Sequence, residues 1–236
     1  MQTTCEIPKW FVERMVGTLV EHRDDGLIWL PDLGIGFHPQ FDPARYDGSY
    51  FDKYVMMDST EMGHRLSEHR VEFVRGHYIG PLVDFGIGAG AFMQEWWKTQ
   101  HVSGGFDINE HAVAWLRARG AYVNPWTQSG QAVTFWDSLE HVPDIEPLLG
   151  NVTKWVFVSM PIVKDPSGPS DMWRHYRPGE HLLYATETGL ITLMASFGFT
   201  CVDVQWFETH LGRLDIGSFA FKRVAGSHHN PDWSAA

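Results

Sequence analysis

The sequence predicts an α/β fold: a doubly wound, mostly parallel sheet with helices on both faces. Three observations predict it. "LVDFGIGAG", residues 82–90, runs from an apolar strand through three glycines spaced by single residues into a helical pattern. Short apolar strands then alternate with helical segments as far as "KWVFVSMP", and that alternation builds a parallel sheet wound on both faces. Finally "FTCVDVQWF" and "DIGSFAFKRV" follow one another across a Gly-containing connector, short enough to be antiparallel neighbours.

Along the chain, residues 1–45 carry apolar pieces such as "WFVERMVGTLV" and "GLIWLPDLGIGF" broken by Gly and Pro, read as a helix and a small hairpin. "DSTEMGHRLSEHRVEFVRGHY" offers caps at Asp58, Ser59 or Thr60 ahead of Met62, Leu66, Phe73 and Val74 at roughly helical spacing, which predicts a helix ending near Gly76 to Gly80. "PLVDFGI" is the first strand of the alternation. "GAFMQEWWKT" is the helix after the glycines, with its N-terminal N–H groups facing whatever the loop holds. "HVSGGFDI" is the second strand, and "NEHAVAWLRARG" a helix capped by Asn109 and Gly120. "AYVN", "AVTFWDS" and "KWVFVSMP" are the third, fourth and fifth strands. "VKDPSGPSDMWRHYRPGEH" is a long polar loop at the edge of the ligand cleft. "ETGLITLMASFG" is a helix with Leu190, Leu193, Met194 and Phe197 on one face.

Composition narrows the class. With 236 residues, 44% apolar and 20% charged, the chain suits one substantial soluble domain, and no apolar run approaches the ~20 residues of a membrane span. "MQTTCEIPKWF" lacks the pattern of a secretory signal, so a cytoplasmic location is expected. Cys5 and Cys201 belong to no CxxC pair and are read as ordinary thiols. A formal charge of −11 argues against a broad face for duplex phosphates, so nucleic acid is not the expected partner. Residues 1–57 are read as an N-terminal extension, 58–224 as the principal domain and 225–236 as a mobile tail.

A glycine loop after a strand is a weak signal alone, since "GIGAGA" also satisfies a dinucleotide pattern and a ligand-free turn has the same sequence. Asp84 discriminates. An acid at the carboxyl end of a buried strand is costly unless it answers a cationic or NH-rich ligand, and S-adenosylmethionine carries the ammonium that NAD lacks. Asp107, where the second strand ends, is placed to accept both hydroxyls of a ribose, with helix capping as its bland alternative.

These residues resemble the class I S-adenosylmethionine-dependent methyltransferases. "LVDFGIGAG" is similar to that family's first motif and "GFDINEHAVAWLRARG" to its second. "VTFWDSLEHVPD" resembles the fourth-strand motif of the subgroup that includes the ubiquinone-biosynthesis O-methyltransferases. The resemblance spans about residues 60–224 and implies a seven-stranded Rossmann-like sheet whose last strand is antiparallel. It implies Asp84, Gly86, Gly88 and Gly90 at the methionine part, Asp107 with Ile108 at the ribose, and Trp136 near the sulfonium. Arg70 stands where the quinone-pathway enzymes meet the cofactor carboxylate, or is a solvated helix charge. Asn124, Pro125 and Trp126 are the adenine-side residues, although the acid-rich pattern usual there is missing.

The expected chemistry is O-methylation of a small-molecule or glycan- or lipid-linked acceptor. An "Asn- or Asp-Pro-Pro-aromatic" run for base N-methylation is replaced here by "WDSLEH". Methyl transfer needs alignment more than a catalytic residue, but a hydroxyl acceptor needs a base or a metal. The candidate bases are His141, His175 and His181. Asp137, Glu140 and His141 match an acid, acid, His set that binds a divalent cation in the quinone-pathway enzymes, and a structural turn is the preferred reading of them. Tyr46, Tyr50, Phe51 and Tyr54 form either a lid over the cofactor or ordinary packing. A nicotinamide-dependent oxidoreductase and a silent S-adenosylmethionine-binding module are the alternatives.

Overall fold

The computed structural model describes residues 3–226, so the expected mobile tail lies outside the described residues from position 227 onward. A six-stranded sheet occupies its centre. In chain order the strands are β1 (Leu82–Phe85), β2 (Ser103–Phe106), β3 (Gly130–Trp136), β4 (Val152–Pro161), β5 (Phe199–Gln205) and β6 (Ile216–Arg223). Their spatial order is β5, β6, β4, β3, β1, β2. Neighbouring strands from β4 to β2 are parallel, whereas β6 runs antiparallel between β4 and β5, as the sequence predicts. β3 is continuously buried from Ala132 to Trp136, the pattern of a strand covered on both faces.

The chain leaves β1 for β2 on one side and returns to β3 on the other. That reversal opens a crevice at the carboxyl ends of β1 and β3, where ligands of open α/β sheets bind.

The expected seventh strand is not formed. "AYVN" contributes only a bridge between Tyr122 and Gly105, with Gly105 N–H donating to Ala121 O at 2.8 Å and Val123 N–H to Gly105 O at 2.9 Å. Turn chemistry stops it. Asn124 Oδ1 accepts Trp126 N–H at 3.1 Å, its carbonyl accepts from Thr127 and Gln128, and Pro125 has no N–H to extend a ladder.

On one face of the sheet lies the helix Glu61–Arg75, started by Thr60, whose hydroxyl accepts Gly63 N–H. It buries Leu66, Val71, Phe73 and Val74, each contributing about 2 kcal/mol, and carries Arg70 inward on the same face. The preceding helix, Gly48–Asp58, is capped by Asp47 and has no buried residue, so it lies on the body as a cover.

Before these helices, Lys9–Met15 is a helix whose Trp10 and Phe11 pack edge-on and tilted against Phe37. A second, antiparallel sheet orders Leu183–Ala185, Ile35–Phe37, Ile28–Leu30 and Glu21–His22. Its outermost strand, Leu183–Ala185, comes from the end of the long loop after β4, so residues 28–37 and that loop are built together. Among the described residues no helix is long and apolar enough to cross a membrane.

Candidate active site

At the carboxyl ends of β1, β2 and β3 lies a cavity of about 310 Å³, at the lower end of the size range of small-ligand pockets. Its floor is the glycine loop. Gly86 and Gly88 have φ of 78° and 55°, left-handed values that favour glycine. A Cβ on Gly86 would stand 2.7 Å from Ser138 Cβ, and one on Gly88 would stand 3.2 Å from the Tyr54 ring. Ser138 in turn donates to Phe85 O at 2.6 Å, locking the turn after β3 to the end of β1. Gly90 caps the helix Ala91–Trp97 and does not line the cavity.

Asp107 lines the cavity from the end of β2. One carboxylate oxygen accepts Gly88 N–H at 3.1 Å and the other Asn109 N–H at 2.8 Å, so the acid is fixed in orientation by the glycine loop itself. Burial pushes its carboxyl above the ordinary range, with the Asn109 and Gly88 N–H groups opposing. Phe85, Phe106, Ile108, Trp126 and Val142 make the remaining wall apolar, and the Trp126 ring stands edge-on to Phe106 at 4.7 Å. Asn124 and Pro125 are not part of this wall.

Tyr46, Tyr50 and Tyr54 roof the same space. The three rings succeed one another at 4.9 and 5.0 Å, Tyr50 and Tyr54 share a hydroxyl contact of 3.1 Å, and Tyr46 Oη lies 2.9 Å from His141 Nδ1. Phe51 instead stacks on His111, outside the cavity. Asn109 holds this roof in place, its amide donating to Tyr46 O at 3.0 Å and Asp47 O at 2.9 Å.

Behind the cavity is a buried charge cluster that the sequence did not disclose. Arg70 donates to both oxygens of Glu208 at 3.0 and 3.2 Å and to Asp137 Oδ2 at 2.9 Å. Arg213 donates to Asp137 Oδ1 at 2.8 Å and also pairs with Glu208. Two cations and two anions are therefore matched, and the forked guanidinium geometry is what makes such a cluster tolerable inside a protein. Burial alone would raise the Asp137 carboxyl, but Arg213 and then Arg70 outweigh it and hold it well below the carboxylate range. Arg70 also lies over the Trp136 ring, 5.1 Å from its centre. Trp136 and Asp137 line the cavity; Arg70 does not, its guanidinium being committed to the two carboxylates.

Asp84 lies one layer deeper. It is 1% exposed, its Oδ1 accepts Thr134 Oγ1–H at 2.6 Å, and it does not line the cavity. Burial pushes its carboxyl up to about 7, against the opposing Thr134 bond and the positive charge of Arg70.

A second cavity, of about 460 Å³, adjoins the first through Tyr54, Asp137 and His141. It is polar. All three candidate bases, His141, His175 and His181, converge on it, together with Glu140, Lys53 and Arg177. His175 Nε2 is 2.7 Å from Leu214 O, and His141 Nδ1 is 2.7 Å from Glu180 O. Burial holds the His141 imidazole low, and burial with His141 and Arg177 beside it pushes His181 down to about 2, so both are neutral. Glu140, in the short turn Leu139–His141, is 1% exposed and its carboxyl is raised by burial and by Asp137.

Of the residues named from sequence, Gly86, Gly88, Asp107, Ile108, Trp126 and Trp136 thus surround one cavity, and the three histidines surround the next. Sequence reasoning missed Glu208 and Arg213, which sit in "WFETHLGR" without any motif, and the second role of Asn109, which reads only as a cap.

The arrangement joins an aromatic slot that ends in an oriented carboxylate to a polar chamber rich in imidazole. Comparison with known proteins agrees with that form. A family model described as "Methyltransferase domain" matches residues 49–204. Magnesium protoporphyrin IX methyltransferase from Synechocystis, solved with bound SAH, superimposes with a TM-score of 0.58 at 13% identity, covering 77% of this chain and 97% of that one. The 1,6-didemethyltoxoflavin-N1-methyltransferase of Burkholderia thailandensis gives 0.56 at 17% identity, covering 87% and 99%. A SAM-dependent methyltransferase from Archaeoglobus fulgidus gives 0.52 at 14%, covering 72% and 99%. No curated protein sequence matches the chain closely enough to assign a relative. The chain belongs to the methyltransferase-domain family of S-adenosylmethionine-dependent enzymes.

Proposed function

We propose that the protein transfers the methyl group of S-adenosylmethionine to an oxygen of a small-molecule or glycan- or lipid-linked acceptor seated in the polar chamber. The observation that carries this reading is the junction of the two cavities at Tyr54, Asp137 and His141, which sets an aromatic slot holding Asp107 against a chamber lined by three histidines. When bound, the cofactor would supply a methyl carbon on a cationic sulfur, open to in-line attack by an acceptor lone pair as the carbon–sulfur bond breaks and the neutral thioether leaves.

The chain's own residues do the rest. Asp107, already oriented by Gly88 and Asn109 N–H groups, accepts the ribose hydroxyls. Gly86 and Gly88 admit the methionine chain by presenting bare backbone. Phe85, Phe106, Ile108 and Trp126 receive the adenine, and Trp136 and Tyr54 exclude water from the methyl. Asp84 and Arg70 support the loop and the charge balance from behind. A histidine of the chamber takes the hydroxyl proton as the acceptor oxygen bonds to the methyl carbon. The turn Leu139–His141 supports placing the chain near the ubiquinone-biosynthesis O-methyltransferases. The acceptors named for two similar structures, a magnesium porphyrin and a toxoflavin precursor, support a small-molecule acceptor.

Titration calorimetry with S-adenosylmethionine, S-adenosylhomocysteine and NAD tests the cofactor assignment: the first two are expected to bind and NAD is not. Binding of NAD alone would refute it. Cofactor binding with no methyl transfer to any of a panel of phenols, sugars and carboxylates would favour the silent module.

A further inference from the structure

Glu140 is the least explained residue of the polar chamber. Both its carboxylate oxygens are fully buried, and among the described residues neither has a hydrogen-bond partner outside its own residue. Buried carboxylates without partners are rare because the lost hydration costs several kcal/mol. Asp137, nearest in sequence to share its charge, has one oxygen on Arg213 and the other on Arg70. What does face Glu140 is imidazole. Ligand atoms of Glu140, His141 and His181 all lie within 4.8 Å of one another, and the His141 and His181 ring centres are 4.8 Å apart.

We propose that Glu140, His141 and His181 hold a divalent transition-metal ion where the two cavities meet.

The hydrogen bonding prepares this set for a metal. If Nδ1–H of His141 donates to Glu180 O, its Nε2 keeps the lone pair, and Nε2 is the nitrogen that stands 4.0 Å from Glu140 Oε1. A ligating histidine whose other N–H is held by a carbonyl is the usual arrangement around protein-bound metals. Two neutral imidazoles and one carboxylate select a borderline cation such as Zn²⁺ over Mg²⁺ or Ca²⁺, and three protein ligands leave a position open. Ligand atoms at ~2.1 Å from a tetrahedral ion stand about 3.4 Å apart, so the three side chains close by about 1 Å on loading. The open position faces the chamber, because all three residues line it. If the chamber takes the methyl acceptor, as proposed above, an acceptor hydroxyl bound there loses its proton more readily. Its base is then His175, whose Nε2–H donates to Leu214 O and leaves Nδ1 with its lone pair.

The test is Zn²⁺ binding to the untagged full chain, stripped with chelator and measured by calorimetry. A His228→Ala/His229→Ala variant serves as the reference, so that this adjacent histidine pair in the C-terminal sequence supplies no ligand to the ion being measured. One ion per chain is expected with micromolar or tighter affinity. Glu140→Gln and His181→Gln should each weaken it by at least tenfold, and His175→Gln should leave it unchanged. Co²⁺ should give visible absorption bands in the reference chain that both ligand variants lose. Binding absent from the reference chain, or equal in the Glu140→Gln and His181→Gln variants, overturns the proposal. Parallel titration with S-adenosylmethionine separates the two readings, since cofactor binding without zinc binding refutes the metal site alone.

Discussion

Replacing Asp84 with Asn should make the protein more resistant to unfolding at pH 8 than at pH 5, relative to the parent chain. An aspartate in the unfolded chain titrates near 3.9. In the fold, burial pushes Asp84 up to about 7. Between those values the unfolded chain has released the proton and the folded chain still holds it, so stability falls as pH rises through the window and levels off above it. About three pH units at 1.36 kcal/mol each give a total cost of roughly 4 kcal/mol, of which roughly 2–3 kcal/mol develops between pH 5 and pH 8. An Asn keeps an oxygen for the 2.6 Å bond from Thr134 and removes the ionisation. Urea unfolding of both chains at the two pH values, without cofactor, measures the difference directly. Any packing defect of the amide appears at both pH values and cancels. The reasoning fails if the stability difference between the two proteins is the same at pH 5 and pH 8 to within about 0.5 kcal/mol.

Other outcomes are equally specific. Asp107→Ala removes the acceptor held by Gly88 and Asn109, and should weaken S-adenosylmethionine and S-adenosylhomocysteine alike by roughly 10–100-fold in calorimetry, since hydrogen bonds to a charged group contribute about 1.5–3 kcal/mol. Gly86→Ala places a methyl 2.7 Å from Ser138 at φ 78°, and should cost about 1–3 kcal/mol in thermal unfolding and abolish measurable cofactor binding. Arg213→Met leaves Asp137 and Glu208 to share Arg70, and should destabilise by about 3–5 kcal/mol in urea; a loss under 1 kcal/mol would show the cluster to be dispensable.

What was legible in the sequence followed from local chemistry. The glycine loop, the Asp107 position, the Asn109 and Thr60 caps and all six central strands announce themselves within windows of ten residues or so, because period and turn residues are local properties. The strand read at "AYVN" failed for a local reason too: the Asn124 turn competes with four residues of strand and wins. Most of what stayed hidden depends on distance along the chain. Glu208 meets Arg70 across 138 residues, and Ile35–Phe37 finds its outer partner in Leu183–Ala185. No periodicity encodes such pairings. Asp84 illustrates a subtler gap: its type and position were plain, but only the sheet register reveals that Thr134 stands directly beside it on β3.

The roof of the slot and its floor are not independent. Asn109 follows Asp107 by two residues, caps the helix Glu110–Ala118 with its side-chain oxygen, and donates its amide hydrogens to Tyr46 O and Asp47 O. Asp47 is itself the cap of the helix that carries Tyr50 and Tyr54. Tyr46 reaches His141 in the polar chamber. A continuous chain of polar contacts therefore runs from the Asp107 carboxylate, through the roof, to the histidine shared by both cavities.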